Sequence, residues 1–220
     1  MRIVLLGAPG AGKGTQCKRI IDKYGLVHLS SGDILRKERA EGTELGKKAE
    51  SYMNSGALVP DELIVEMMAG AISKAPSTGF VLDGFPRTVN QARQLDKSLA
   101  IIGQKIDAVL NLKVQDRLVT ERITGRRSCP QCGAVYHIEN LRPRTDGICD
   151  NDGAELIQRP DDSFEVVANR MKNYHRQTEP VVDYYKTNSS AGAFYELDAD
   201  KDADQVSVEV FEKLDTVAKS

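Results

Sequence analysis

Short apolar runs alternate along the chain with longer stretches whose apolar positions return every three or four residues. Residues 3–6, 27–29, 79–82, 108–112 and 193–197 are brief and nearly all apolar, which predicts strands covered on both faces. Between them the period lengthens to that of a helix. Helices are predicted over 15–24, over 33–39 with Asp33 in an acidic first turn, and from Pro60 onward. The last of these carries Leu63, Ile64, Met67 and Met68 on one face. Further helices follow over 88–100, with Leu95 and Leu99 four apart, over 115–124, and over 162–187, which Pro180 interrupts or kinks. The closing helix covers 206–217. Strands separated by helices predict an α/β fold with a parallel sheet core flanked by helices. Between about residues 128 and 158 the helical period disappears, and Cys, Gly, Pro and Asn punctuate the chain. That piece reads as a small inserted module.

Charge changes the picture by exclusion. The 220 residues carry 30 basic and 32 acidic side chains, a net charge of −2, so no basic field points to nucleic acid. Tryptophan is absent and aromatics are few, which argues against a base-stacking platform. No apolar run approaches the ~18 residues of a membrane span, and the chain opens on a strand rather than a leader, so a cytoplasmic protein is expected.

The first strand breaks at Gly7 into a loop with glycines at 7, 10, 12 and 14 and a lysine at 13. Without Cβ atoms such a loop can turn its N–H groups inward, and strand, loop, lysine and helix start together form a phosphate cradle. The spacing is close to G-x-x-x-x-G-K-[ST], except that Gly14 takes the hydroxyl position and Thr15 follows it. A second strand ends in Asp83, where phosphate-loop enzymes keep a carboxylate near Mg²⁺, and Arg87 stands just beyond it. Arginines 36, 87, 122, 126, 127, 159 and 170 gather near loops and hinges. Singly each reads as a solvated face; beside a phosphate cradle they suit two polyanions held head to head. His28, His137 and His175 are scattered and read as structural.

Cys129-x-x-Cys132 and Cys149-x-x-Asp152 form two knuckles separated by sixteen residues. Three thiolates and a carboxylate suit a closed tetrahedral zinc site, with iron as the alternative metal and His137 as the rival fourth ligand. Cys17 reads instead as a small buried apolar group.

Gly7 to Thr15, Asp83-Gly-Phe-Pro-Arg87 and Ser30-Ser-Gly-Asp-Ile-Leu-Arg36 together resemble the adenylate kinase family, of the long-lid bacterial type with a metal-bearing lid. The Gly after Lys13 is the family's own variant of the loop. The resemblance spans essentially the whole chain. It implies a P-loop kinase fold with a parallel sheet core (1–29, 60–124 and 163–220), a helical AMP-covering insert (30–59) and a small zinc-ribbon-like ATP lid (125–162). It implies phosphoryl transfer from Mg·ATP to AMP, giving two ADP. Gly10, Ala11, Gly12, Lys13, Gly14 and Thr15 would cradle ATP, with Arg122, Arg126, Val135, Tyr136 and the Lys201 backbone around it. Ser31, Arg36, Ala57, Leu58, Val59, Gly84, Phe85, Pro86, Arg87 and Gln91 would hold AMP. Arg159 and Arg170 would also hold AMP, Lys13, Arg87, Arg122, Arg126, Arg159 and Arg170 would be the catalytic set around the transferring group, and Asp83 would reach Mg²⁺ through water. The Phe85–Pro86 bond is usually cis in the family. A monomer acting on ATP, AMP and ADP, with no nucleic acid and no membrane, is expected. The rival readings are a GTP-using or other nucleoside monophosphate kinase and, from a different class, a nucleotide-switched zinc-ribbon protein that binds nucleic acid.

Overall fold

Side chains alternate along β1 (Arg2–Gly7): Ile3 and Leu5 enter one apolar core, Val4 and Leu6 another. All four are at most 3% exposed, so both faces of this strand are covered. The structure, a computed structural model, describes residues 1–188 and 191–219. Ser189, Ser190 and Ser220 lie outside the described residues, so the predicted core segment 163–220 is seen apart from them.

The sheet is parallel, with β1 flanked by β3 (Phe80–Asp83) and β4 (Ala108–Lys113). Outside these lie β2 (Val27–Ser30) and β7 (Ala193–Asp198). The order β2-β3-β1-β4-β7 sets Leu5 opposite Asp83 and Ser30 opposite Asp83, so the carboxyl ends of three strands meet at one place. One face is covered by α1 (Lys13–Tyr24) and α9 (Ala203–Ala218), through Cys17, Ile20, Val206, Val210 and Leu214. The other is covered by α2 (Ser31–Ala40), α4 (Asp61–Ser73), α5 (Val89–Ile101) and α8 (Glu179–Thr187). Each large apolar side chain removed from water in these cores contributes roughly 1.5–3 kcal/mol. No helix among the described residues is long and apolar enough to cross a membrane.

The strands and most helices fall where the pattern predicts, with shifted ends. α1 begins two residues early, because Gly12 adopts a left-handed backbone (φ 86°) and caps the helix directly before Lys13. A separate helix, α3 (Glu44–Ser55), stands where the periodicity marked none. Its core-facing positions are few, and it is fixed instead by Thr43, whose hydroxyl accepts from Gly46 N. A Cβ at Gly46 would lie 2.3 Å from the Glu38 carbonyl oxygen, so α2 and α3 pack almost backbone to backbone.

The predicted helix over 162–187 is three pieces. A 3₁₀ turn (Pro160–Asp162) precedes α7 (Phe164–Asn173), a π turn covers Tyr174–Thr178, and α8 carries Pro180 in its first turn. Proline donates no N–H to the turn before it, and the wider π turn takes up the mismatch without breaking the rod. α6 (Asp116–Thr124) runs beside α7 and leads into the inserted module, a hairpin of β5 (Arg126–Ser128) and β6 (Val135–His137).

His175 sits on the π turn between two acids, Nε2 2.9 Å from Asp116 Oδ2 and Nδ1 3.0 Å from Glu179 Oε2. The bond to Glu179, aided by Asp116, holds the ring above its ordinary value despite some desolvation. The folded chain therefore binds this proton more tightly than the unfolded one. The stabilisation is complete below about pH 6.5 and fades as pH rises through the folded value. His175→Gln should open a gap in melting temperature from the parent that is widest near pH 6 and closes toward about pH 9. A gap that stays constant across this range would show that protonation of His175 does not clamp α6 to α8.

Candidate active site

The glycine loop leaves β1 at Gly7 and enters α1 at Lys13. Gly10 and Gly12 take φ values of 74° and 86°, where a Cβ would be strained, and no side chain caps the helix. Its first N–H groups are therefore free to face a ligand. Lys13 Nζ donates to the Gly7 and Ala8 carbonyl oxygens, 2.8 Å each, which folds the ammonium back over the loop. Burial draws Lys13 down to about 8, opposed by Asp83 and reinforced by Arg87, Arg170 and Arg126.

Asp83 ends β3 beside this lysine. Burial works against its charge, but His28 and Lys13 outweigh that and hold the carboxyl below the usual range. His28 Nε2 lies 3.4 Å from Asp83 Oδ2, and the same contact holds the ring above its ordinary value against its own desolvation. Gly14 faces Asp83 across the loop: a Cβ there would sit 3.9 Å from Oδ2.

Next to the loop lies a cleft with an empty volume of about 620 Å³ between α2, α3 and the turn after β3. Its walls include Ser31, Arg36, Val59, Arg87, Gln91 and Arg170. Ser31 Oγ donates to the Gly84 carbonyl oxygen at 2.6 Å and Arg87 Nε to the same atom at 2.8 Å, which ties the turn to the start of α2. The Phe85–Pro86 bond in this turn is cis. Arg36 is paired with Asp33. Ala57 and Leu58 line the same cleft; Phe85 and Pro86 are buried behind it.

Arginines close the space between loop and cleft. Burial, then the neighbouring Arg170, draws Arg87 down to about 10. Burial, then Arg36 and Arg126, does the same to Arg159. Arg170 Nη1 is 3.1 Å from Asp161 Oδ2 and 3.5 Å from Asp162 Oδ1, while Arg126 Nε donates to Asp162 Oδ2 at 2.8 Å. Asp162 is fully buried. The two acids were not singled out by the sequence, where an Asp pair after a proline reads as a helix start; their position beside Arg159 was the available signal.

Arg122 lies elsewhere. It donates to the carbonyl oxygens of Ala199 and Asp200, at 2.8 and 3.3 Å, and so ties α6 to the segment before α9. Lys201 turns its side chain toward Glu209 (2.5 Å), which leaves its backbone as the part available to a ligand. Val135 is exposed, but the Tyr136 hydroxyl is engaged inside the module, accepting from Asp150 N at 2.8 Å and lying 3.6 Å from Cys149 Sγ.

Cys129, Cys132, Cys149 and Asp152 converge, with ligand atoms all within 4.8 Å of one another. A tetrahedron with Zn–S bonds of about 2.3 Å has S···S edges of about 3.8 Å; Cys132 Sγ and Cys149 Sγ are 3.6 Å apart. The Ala154 N–H and the surrounding thiols hold Asp152 down at about 2. His137 is not in the cluster: Nδ1 accepts from Glu139 and Asn140 N, and Nε2 lies 3.3 Å from the Glu121 carbonyl oxygen. The donor set therefore fits a closed four-ligand metal site with Asp152 as its carboxylate.

The family model described as adenylate kinase matches residues 5–190. An adenylate kinase of Caldicellulosiruptor bescii is 52% identical over 187 residues, 84% of this chain and 87% of the relative. One from Archaeoglobus fulgidus is 47% identical over 211 residues, 96% of each chain, and one from Clostridium tetani 47% over 218 residues, 99% and 98%. With the glycine loop, the second cleft and the half-buried cations already in place, these matches lead to one conclusion: the chain belongs to the adenylate kinase family, whose enzymes interconvert ATP plus AMP and two ADP.

Proposed function

We propose that the chain transfers the terminal phosphoryl group of ATP, bound on the glycine loop, to AMP held in the cleft between α2 and α3. The observation that carries this reading is the crowd of half-buried cations between the two spaces. Lys13, Arg87, Arg159 and Arg170 are all held below their ordinary values by desolvation first and then by neighbouring arginines, Arg36 and Arg126 among them. Such crowding is relieved by polyanions, and two phosphate chains meeting end to end supply them.

Gly10 to Thr15 cradle the ATP phosphates, and Lys13 follows the group in transfer. Ser31, Arg36, the backbone of 57–59, Gly84 to Arg87 and Gln91 hold AMP. Arg126, Arg159 and Arg170 span the junction, and Arg122 braces its rim from α6. Val135 and the backbones of Tyr136 and Lys201 approach the ATP base. The AMP phosphate is already anionic at neutral pH, so alignment and positive charge suffice without a side-chain base. A carboxylate beside the phosphate loop suits Mg²⁺, which keeps several waters; Asp83 would hold it through one of them. When bound, Mg²⁺ neutralises charge on the ATP phosphates. Segments 30–59 and 125–162 act as covers that exclude water, the alternative phosphoryl acceptor. In the second cover, Cys129, Cys132, Cys149 and Asp152 hold zinc in a structural role. The chain works as a cytoplasmic monomer.

ADP formation from ATP plus AMP in a coupled assay, with CMP, UMP and GMP as rival acceptors and GTP as rival donor, tests the substrate assignment. AMP and ATP should be strongly preferred; a better rate with another pair would replace them. Lys13→Ala should lower kcat by at least ~10²-fold, the scale of losing one preorganised charge in the transition state. A folded variant with near-native turnover would remove Lys13 from the transfer step.

Arg87→Ala and Arg36→Ala should weaken AMP more than ATP, because each removes a guanidinium from the acceptor cleft. Equal weakening in calorimetric titrations would place both arginines outside the acceptor site. Metal analysis should find one zinc per chain. Chelation or Cys149→Ser should lower the melting temperature while activity well below it largely persists with Mg²⁺ supplied, because four protein ligands leave no open position for chemistry. Loss of activity in the folded, zinc-free protein would contradict a purely structural ion.

A further inference from the structure

Gln91 is 1% exposed and lines the acceptor cleft, yet both ends of its amide are already engaged. Its Oε1 accepts from the Arg87 backbone N–H at 2.7 Å, and its Nε2 donates to Asp61 Oδ1 at 2.7 Å. Asp61 opens α4, thirty residues away in sequence, and its other oxygen accepts from Thr88 Oγ1 and Asn90 Nδ2, each at 2.9 Å. We infer that Asp61 is a positioning residue that sets the polarity of the Gln91 amide, and through it the choice of a 6-amino over a 6-oxo purine as phosphoryl acceptor. This rests on the reading of Gln91 as part of the acceptor site.

A primary amide has two ends of nearly equal shape and opposite hydrogen-bond character. In the observed orientation each end keeps one further capacity: a lone pair on Oε1 and an N–H on Nε2. An adenine edge offers an N6–H donor and an N1 acceptor, and so matches them. A hypoxanthine edge offers O6 and N1–H, which sets acceptor against acceptor and donor against donor. Rotating the amide by a half turn would restore the match. The surroundings oppose that turn at both ends. Nε2 would face the Arg87 N–H, and Oε1 would face the Asp61 carboxylate, which when ionised only accepts. An unanchored glutamine would serve both purines; the anchored one serves one. The Thr88 and Asn90 bonds to the far oxygen keep the carboxylate from swinging away.

The experiment compares kcat/KM for AMP and IMP, which differ at this edge alone, in the full-length enzyme with ATP as donor. Asp61→Asn keeps the shape but can offer an N–H to Gln91. It should reduce the AMP-to-IMP ratio by at least ~10-fold, mostly through a lower KM for IMP, with kcat for AMP changed by no more than ~3-fold. Asp61→Glu, which keeps the acceptor, should retain most of the discrimination. Asn90→Ala, which leaves Thr88 on the far oxygen to hold the carboxylate and keeps the polarity intact, should not change the ratio. Asp61→Ser, which makes room for a water able to face either end, replaces the asparagine variant if that does not fold. Gln91→Ala separates the two levels. If it relaxes the ratio while Asp61→Asn and Asp61→Ser leave it unaltered, Asp61 does not set the polarity but Gln91 remains in the site. If the ratio holds in all of these variants, the placement of Gln91 against the purine falls as well. A lower melting temperature with an unchanged ratio marks Asp61 as a structural tie between α4 and α5 and overturns the inference.

Discussion

Like charges confined together out of water set the terms for this protein. Two unit charges about 4 Å apart interact by about 4 kcal/mol where the effective dielectric is near 20, and a whole domain is stable by only ~5–15 kcal/mol. A cluster holding Lys13, Arg87, Arg126, Arg159 and Arg170 would consume that margin without counter-charge. Asp83, Asp161 and Asp162 supply it, and Asp162, fully buried, contacts both Arg126 and Arg170. The compensation is incomplete around Arg87 and Arg159, which stay near 10. On the proposed function that residual imbalance faces the place where the phosphate chains would meet, so the same repulsion that limits stability without substrate would become attraction toward it.

The sheet makes this concentration possible. Because the strands are parallel, their carboxyl ends open on one edge, and the loop after β1, Asp83 at the end of β3 and Ser30 at the end of β2 fall side by side. The remaining cations arrive from pieces distant in sequence. Arg36 comes from α2, Arg126 from the entry to the inserted module, Arg159 from its exit and Arg170 from α7. Moving segments 30–59 and 125–162 away from the core would separate these charges. On the proposed function, opening would be favoured by repulsion and closing by bound phosphate, a balance that needs no separate latch.

What could be seen in the sequence was whatever leaves a strong local pattern. Buried strands are short apolar runs, and the glycine loop is spelled by positions at which only glycine accepts the backbone, so both were legible. The paired knuckles were legible because a tetrahedral site demands short spacings. α3 was not, since a hydroxyl cap and a glycine at a close helix crossing hold it rather than a broad apolar face. Asp161 and Asp162 look like an ordinary helix start until the fold brings arginines from both sides. His28 reads as a stray imidazole in a strand; only the pairing of β2 with β3 puts it against Asp83. The partners of Arg122 were hidden for a similar reason. Its neighbours in sequence are arginines of the site, but the helix phase turns it to the carbonyl oxygens of Ala199 and Asp200.

The inserted module has little apolar core of its own. Its apolar cluster among the described residues consists of Cys129, Tyr136, Cys149 and Leu156, with Ala134 and Ala154 against it. Two of the four buried members are themselves members of the metal-fitting set, so the side chains that would pack the module are the ones that would bind the ion. A piece of some thirty-five residues cannot bury enough apolar surface to offset the entropy of ordering its loops. Adding apolar residues would help the module fold but would also favour its adhesion to the core, opposing the release that its proposed role as a cover needs. A few bonds to one ion give internal rigidity without enlarging the outer apolar surface. The same logic accounts for the Tyr136 hydroxyl, which takes the Asp150 N–H and approaches Cys149: the ring adds packing, and its polar end orders the second knuckle. On the proposed reading of segment 125–162 as a cover, rigidity inside it and freedom at its hinge, between α6 and α7, would be separated, and only the hinge would have to respond to phosphate.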